Sequence, residues 1–349
     1  MPQNELRRDC LTNRWAVIAT DRARRPIDLT EHRHLGEEQT QKNPKCPLCP
    51  GNEHMTPPAV LVYLSFKDGK ILKTAEESEM RHKNWVIRCV PNLFPAFSPP
   101  KNSDTKEPLE NDDFCYAIGH HEVLIESPDH TGHISDSSIE QITSVINAYK
   151  DRLSDLSKKH YVKYVQIFRN QGIESGASQP HPHSQIITTP FIPPEISQEI
   201  ATSKSHWDSN KECLICKIIK DETETPRFIT GNEHFIVIAP YASTYPMEFW
   251  ILPKRHAINF LDITQAETEA LAQTLKKSFK ALKELIDNPP YNFGFHLALN
   301  KDSQDYYHWQ LRVYPALSTW GGFEKSSGIS INTVNPETAA AELRKMLTN

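Results

Sequence analysis

No stretch of about 18 apolar residues occurs anywhere in the chain, so the sequence predicts no membrane span. The first ten residues, Met1 to Cys10, have no apolar core of the kind that directs secretion, and a cytosolic setting is the expectation. The chain also lacks an excess of positive charge. Its formal net charge is −5, so neither nucleic acid nor an anionic membrane is expected as a partner by bulk attraction. An even cysteine count is missing as well. Seven cysteines in a chain expected to be cytosolic argue against a disulfide framework. What remains is the composition of a globular protein, 38% hydrophobic and 24% charged. Its 349 residues are enough for two or three domains or one large two-lobed one.

Two features stand out against that background. Cys46-Pro47-Leu48-Cys49 and Cys213-Leu214-Ile215-Cys216 are close cysteine pairs, readable as redox dithiols or as half zinc sites. His181-Pro182-His183-Ser184-Gln185 follows a loop of small and polar residues, Asn170 to Pro180. In an extended chain His181, His183 and Gln185 project from one face. An imidazole held between polar neighbours on a strand serves as ligand, base or nucleophile.

The two halves repeat the same order of signals. A strand at His121–Glu126 leads to His130, and a strand at Phe249–Leu252 leads to His256. A helix follows each histidine. The first is expected to begin at a capping box of Ser137 and Glu140, and the second at Thr264 and Glu267. A histidine-bearing strand closes each unit, 51 residues after His130 and 52 after His256. This is the pattern of a tandem duplication. The joint falls near 191–212 with a short helix at Glu195–Ser203, and a last helix starts at Asn335-Pro336-Glu337.

The repeat collects two tetrahedral donor sets, Cys46/Cys49/His130/His181 and Cys213/Cys216/His256/His308. Each would be a closed, structural zinc site, with His296 as a rival ligand in the second.

The chain resembles the galactose-1-phosphate uridylyltransferase family, a branch of the histidine triad superfamily, over nearly its whole length. The residues that carry the likeness are Leu6-Arg7-Arg8-Asp9, Arg14 to Ala19, Arg22 to Pro26, Cys46 to Glu53, Pro91 to Ala96, Glu126 to His130, His181 to Gln185 and Gly321-Gly322-Phe323-Glu324. The resemblance implies an α+β fold of two histidine-triad-like halves, each an antiparallel sheet with a packed helix, related by a pseudo-twofold axis. Residues 1–192 would form the half with the catalytic motif. Residues 193–349 would form the half with a degenerate motif and a sugar-phosphate loop. It also implies a homodimer whose active site takes residues from both subunits.

By the same resemblance, His183 would attack the α-phosphorus of a nucleotide-sugar, release sugar 1-phosphate, and pass the nucleotidyl group to a second sugar 1-phosphate. Gln185 and Ser178 would assist at the phosphoryl group. Arg22, Arg25, Asn92, Phe94 and Asn170 would hold the nucleotide, and Phe323 and Glu324 the hexose phosphate. Uridylyl exchange between UDP-hexose and hexose 1-phosphate is the first expectation. Gln310 and Arg312 stand where the best-known members carry histidines for a second metal. That departure, with the Cys213/Cys216 pair, also fits a sister group of ADP-glucose phosphorylases that hand AMP to phosphate. Further alternatives are a dinucleoside polyphosphate phosphorylase, a histidine-triad hydrolase, against which Gln185 argues, and a non-catalytic zinc-stabilised nucleotide-binding module.

Overall fold

A computed structural model of the chain describes residues 4–20, 22, 46–66, 70–77, 80–101, 114–299 and 301–348. In chain order the strands are β1 (Glu5–Arg8), β2 (Trp15–Ile18), β3 (Leu61–Ser65), β4 (Ile71–Thr74), β5 (Trp85–Pro91), β6 (His121–Ile125), β7 (Tyr164–Gln171), β8 (His183–Thr189), β9 (Phe228–Gly231), β10 (Phe235–Ile238), β11 (Phe249–Pro253), β12 (Tyr291–His296), β13 (Gln310–Pro315) and β14 (Ser330–Asn332). The helices are α1 (Ile139–Leu156), α2 (Pro194–Asn210), α3 (Leu214–Glu222), α4 (Gln265–Ile286), α5 (Gly322–Ser327) and α6 (Pro336–Thr348).

Eleven strands form one continuous sheet in the order β4-β3-β5-β6-β8-β7-β12-β13-β11-β10-β9, every neighbouring pair antiparallel. The order reads the same outward from the β7–β12 junction. β7, β8, β6 and β5 of the first half answer to β12, β13, β11 and β10 of the second, which is the pseudo-twofold expected from the repeat. The halves therefore share a backbone ladder, with Asn170 opposite Asn292 and Phe168 opposite Gly294.

The two long helices cover one face. Apolar residues at helical spacing in α1, including Ile142, Val145, Tyr149 and Leu153, and in α4, including Leu271, Leu275, Phe279 and Leu282, enter one large core with the inward residues of both half-sheets. α1 also packs directly on α4 across the junction. Two smaller apolar clusters form around the cysteine pairs, one with Cys46, Leu48, Cys49, Val62 and Trp85, the other with Cys213, Leu214, Ile236 and Trp250. A separate small sheet of β1, β2 and β14 ties the N-terminus to the C-terminal half.

The local signals hold with two corrections. Thr264 and Glu267 form the reciprocal capping box expected at α4. At α1 the cap is one residue later. Ser138 accepts from the Gln141 N–H, while the Ser137 hydroxyl turns back to the His133 carbonyl. The joint helix runs from Pro194 to Asn210, well beyond Ser203, because Pro at its first turn pre-sets the backbone and no breaker follows until Lys211 takes a left-handed conformation. Gly119 shows why a side chain is barred just before β6. A Cβ there would lie 2.1 Å from the Thr188 carbonyl oxygen of β8, so only glycine lets the two segments approach.

Candidate active site and metal centres

Strand β8 begins at His183, and His181 lies in the bend just before it. The two histidines part there. His181 joins Cys46, Cys49 and His130, whereas His183 and Gln185 continue along the strand. Ser184 points to the opposite, helix-covered face. There it meets the Tyr149 hydroxyl at 2.5 Å and donates to the Glu126 carboxylate. Glu126 also accepts from Tyr149 at 3.1 Å and from the Arg169 guanidinium, so a fully buried ion pair and two hydroxyls hold the strand from behind.

On the open face, His183 is 5% exposed. Its Nδ1–H donates to the His181 carbonyl oxygen at 2.8 Å. That bond leaves the proton on Nδ1 and the lone pair on Nε2, which meets no protein partner among the described residues. Burial, as the largest cause, lowers the imidazole's pKa from its ordinary value, so the ring is neutral near pH 7. A neutral imidazole with a fixed tautomer and one free nitrogen is a nucleophile ready for attack. Gln185 is half-buried, and its Oε1 lies 2.7 Å from His121 Nε2.

The other expected site residues fall into three groups. Asn92 and Phe94 lie on the loop after β5, which is pinned by Asn92 N–H to the His121 carbonyl and by Ala96 N–H to His121 Nδ1. Phe94 is 89% exposed, so its ring is not a core residue of the single chain. Asn170 is fixed by Asn292, whose amide donates to the Asn170 Oδ1 and to the Ser175 carbonyl, both at 2.8 Å. Ser178 is exposed on the loop between Asn170 and His181. Phe323, 52% exposed, and Glu324 sit on α5, and the Glu324 carboxylate accepts from the Gly321 N–H at 3.0 Å as a helix cap. Arg22 is half-buried in a tight turn, its N–H bonded to the Ala19 carbonyl, and Arg25 lies outside the described residues.

Both cysteine pairs meet the expected histidines. In each set all four ligand atoms lie within 4.8 Å of one another. In the first, His130 Nδ1 and His181 Nδ1 are 3.3 Å apart, and Cys49 Sγ is 3.2 Å and 3.5 Å from them. In the second, Cys216 Sγ is 3.4 Å from His256 Nδ1 and 3.6 Å from His308 Nδ1. A tetrahedron with zinc–ligand bonds of roughly 2.0–2.3 Å has edges of about 3.3–3.8 Å, so the donors fit a four-coordinate ion. The outer nitrogens repeat too. His181 Nε2 donates to the Ser127 carbonyl, His308 Nε2 to Pro253 and His256 Nε2 to Gln304, which fixes Nδ1 as the inward lone pair. Burial pushes the Cys46 thiol up to about 11 and lowers His181 to about 4, a neutral ring as a ligand requires. His296 takes no part. It pairs with Glu199 at 3.1 Å and with the Tyr314 hydroxyl. Arg312, at the position answering to Gln185, closes on the same Glu199 at 2.6 Å. A guanidinium thus occupies the centre of this buried cluster in the second half.

Sequence reasoning missed His121, Asn292 and the Glu126–Arg169–Tyr149–Ser184 group. Ser184 lies in the motif itself but faces away from it, and the others lie on neighbouring strands or helices that only the fold brings to the motif.

A doubled antiparallel sheet with a buried histidine presenting one free nitrogen is the framework of a nucleotidyltransferase. Residues 77–193 match the N-terminal domain, and residues 199–318 the C-terminal domain, of galactose-1-phosphate uridyl transferase. The chain is 32% identical to ADP-glucose phosphorylase of Arabidopsis thaliana, over 98% of this chain and 93% of that protein. It is 28% identical to galactose-1-phosphate uridylyltransferase of Thermotoga maritima, over 98% of each. Among solved structures, the Arabidopsis thaliana ADP-glucose phosphorylase with bound ADP-glucose superimposes with a TM-score of 0.81 at 30% identity, covering 99% of both chains. The chain belongs to the galactose-1-phosphate uridylyltransferase family.

Proposed function

We propose that the protein transfers a nucleoside monophosphate from a nucleotide-sugar to an acceptor phosphate by a ping-pong route through His183. The observation that carries this reading is the His183 ring, with Nδ1–H held by the His181 carbonyl and Nε2 without a partner among the described residues. Nε2 attacks the α-phosphorus and the bond to the bridging oxygen breaks. The sugar 1-phosphate leaves with that electron pair. The adduct is a nucleotidyl imidazolium whose positive charge sits against the His181 carbonyl oxygen. The acceptor's phosphate oxygen then attacks the same phosphorus and returns the lone pair to Nε2. Gln185 donates its amide N–H to a phosphoryl oxygen without exchanging a proton, and Ser178 adds a second donor from the loop. That division of labour favours transfer over hydrolysis, and the imidazole of His183 beside the amide of Gln185 on one face favours catalysis over a binding module.

UDP-hexose, with hexose 1-phosphate as acceptor, is the donor to which the family's name points. ADP-glucose with phosphate as acceptor is a second reading, favoured by the relative at 32% identity and by the superimposing structure that holds ADP-glucose. Arg22, Arg25, Asn92, Phe94 and Asn170 would hold the nucleotide, and Phe323 and Glu324 the sugar phosphate. The exposed rings of Phe94 and Phe323 support a homodimer in which a second subunit or the substrate covers them. Seven cysteines, none of them in a disulfide, suit a cytosolic setting. Residues 1–192 and 193–349 serve as catalytic and supporting halves. Cys46, Cys49, His130 and His181 would hold one zinc ion, and Cys213, Cys216, His256 and His308 another. Closed sets of this kind supply cross-linking rather than an activated water.

Intact mass after incubation with UDP-glucose or ADP-glucose tests the reading. Added mass of UMP or AMP, absent in His183→Ala, is the expected result. No adduct from either donor would overturn it.

A further inference from the structure

An amide at the position of Gln185 helps a phosphoryl group in only one orientation. Its NH2 end donates, while its oxygen would repel the anionic oxygens. The side chain's shape does not choose between the two, so a partner must. On the neighbouring strand β6, His121, Val123 and Ile125 alternate on the face that carries Gln185 and His183, and Val123 stands directly opposite Gln185. His121 reaches diagonally, and its Nε2 lies 2.7 Å from Gln185 Oε1.

The other nitrogen of the His121 ring fixes which atom donates. Its Nδ1 accepts from the backbone N–H of Ala96 at 3.1 Å, and a backbone N–H can only donate. A neutral ring with its lone pair on Nδ1 carries its proton on Nε2. Nε2–H therefore donates to Oε1, and the Gln185 NH2 end is turned away from His121. Asn92 does not compete as an acceptor. Its Oδ1 is engaged by the Phe94 N–H at 2.9 Å, which turns its NH2 end toward His121 Nε2 at 3.1 Å, one donor beside another, so the Gln185 oxygen is the acceptor that Nε2–H meets.

We infer that His121 is a positioning residue for nucleotidyl transfer. It sets the Gln185 amide with its donor end toward the reacting phosphorus, and it ties the Asn92–Ala96 loop to the nucleophile's strand. This rests on the reading of His183 and Gln185 given above.

The test is a single-turnover measurement of nucleotidyl-enzyme formation from ADP-glucose and UDP-glucose, followed by intact mass. It compares the parent, His121→Ala, Gln185→Ala, the double variant and His121→Gln, each checked for an unchanged melting temperature. His121→Ala is expected to slow adduct formation by roughly 10-fold to 100-fold, less than the loss of a whole transition-state donor, about 100-fold to 1,000-fold. In the Gln185→Ala background, removing His121 should change the rate by less than about threefold, because the group it orients is already gone. His121→Gln can accept from Ala96 and donate to Gln185, and it should recover most of the rate. The inference falls if His121→Ala forms adduct at the parent rate, if the double variant is more than about threefold slower than Gln185→Ala, or if folded His121→Gln is as slow as His121→Ala. A parent that forms no adduct with either donor would instead overturn the reading of His183.

Discussion

His183 and His181 are joined by one hydrogen bond that links the proposed nucleophile to the first Cys/His cluster. The Nδ1–H of the first donates to the main-chain oxygen of the second at 2.8 Å, while the imidazole of the second belongs to the Cys46/Cys49/His130 set. Whatever fixes the His181 ring also fixes the tautomer and tilt of His183. The second set has no such neighbour, since Gln310 stands where His183 stands in the first.

That asymmetry gives the first prediction. Metal analysis should find two zinc ions per chain. Cys49→Ser should lower the melting temperature and slow adduct formation by roughly 10-fold to 100-fold. Cys213→Ser should lower the melting temperature and leave the adduct rate within about threefold of the parent. Equal losses of rate in both variants would contradict the coupling through His181.

His183→Ala should abolish the covalent adduct and reduce exchange by on the order of 1,000-fold or more, because it removes the nitrogen that bonds to phosphorus. Exchange kinetics with radiolabelled sugar 1-phosphate would read it.

The pH dependence of adduct formation should have its acid limb below the ordinary histidine range. Burial lowers the His183 pKa, and the neutral form is the reactive one. The single-turnover rate should therefore be flat across pH 7 and fall only as pH drops below about 6.5. A rate still rising through pH 7 to 8 would contradict a depressed pKa.

Stability should decline in acid by a separate route. Burial, reinforced by Arg169 and Lys283, depresses His133 to about 3, whereas an unfolded histidine titrates near 6.5. Between those values the unfolded chain holds the extra proton, so stability rises with pH and is lost as pH falls from about 6.5 toward 3. The slope for this one group approaches about 1.4 kcal/mol per pH unit. Urea unfolding at pH 7 and pH 5 should show a shallower dependence in His133→Gln, by close to one proton.

Arg169→Met should destabilise the protein by about 3–5 kcal/mol. It strands the Glu126 carboxylate, which is buried behind the nucleophile's strand. Denaturant unfolding would measure it, and a loss below about 1 kcal/mol would mean that Tyr149 and Ser184 satisfy the carboxylate alone.

Much of the architecture was legible in the sequence because its signals are local or periodic. Apolar spacing marked α1 and α4, Thr264 with Glu267 marked a helix start, and the offsets of 51 and 52 residues marked the repeat. Local signals also misled locally. Ser137 and Ser138 are adjacent candidates for one cap, and only backbone geometry selects Ser138. The pocket face was less legible. His121 reads as an ordinary strand residue until its strand is placed beside β8, and Asn292 stands 122 residues from the Asn170 it fixes.

The amino-acid order alone determined the chemistry at hand: two thiol pairs, the histidines that complete them, and an imidazole between a ligand and an amide on one short stretch. Residue type and short spacing suffice for these. The folded chain decided which nitrogen of His183 is free, which way Gln185 faces, and that both halves share one ladder through β7 and β12. Those outcomes depend on hydrogen bonds between segments far apart in sequence, and strand register, not composition, sets them.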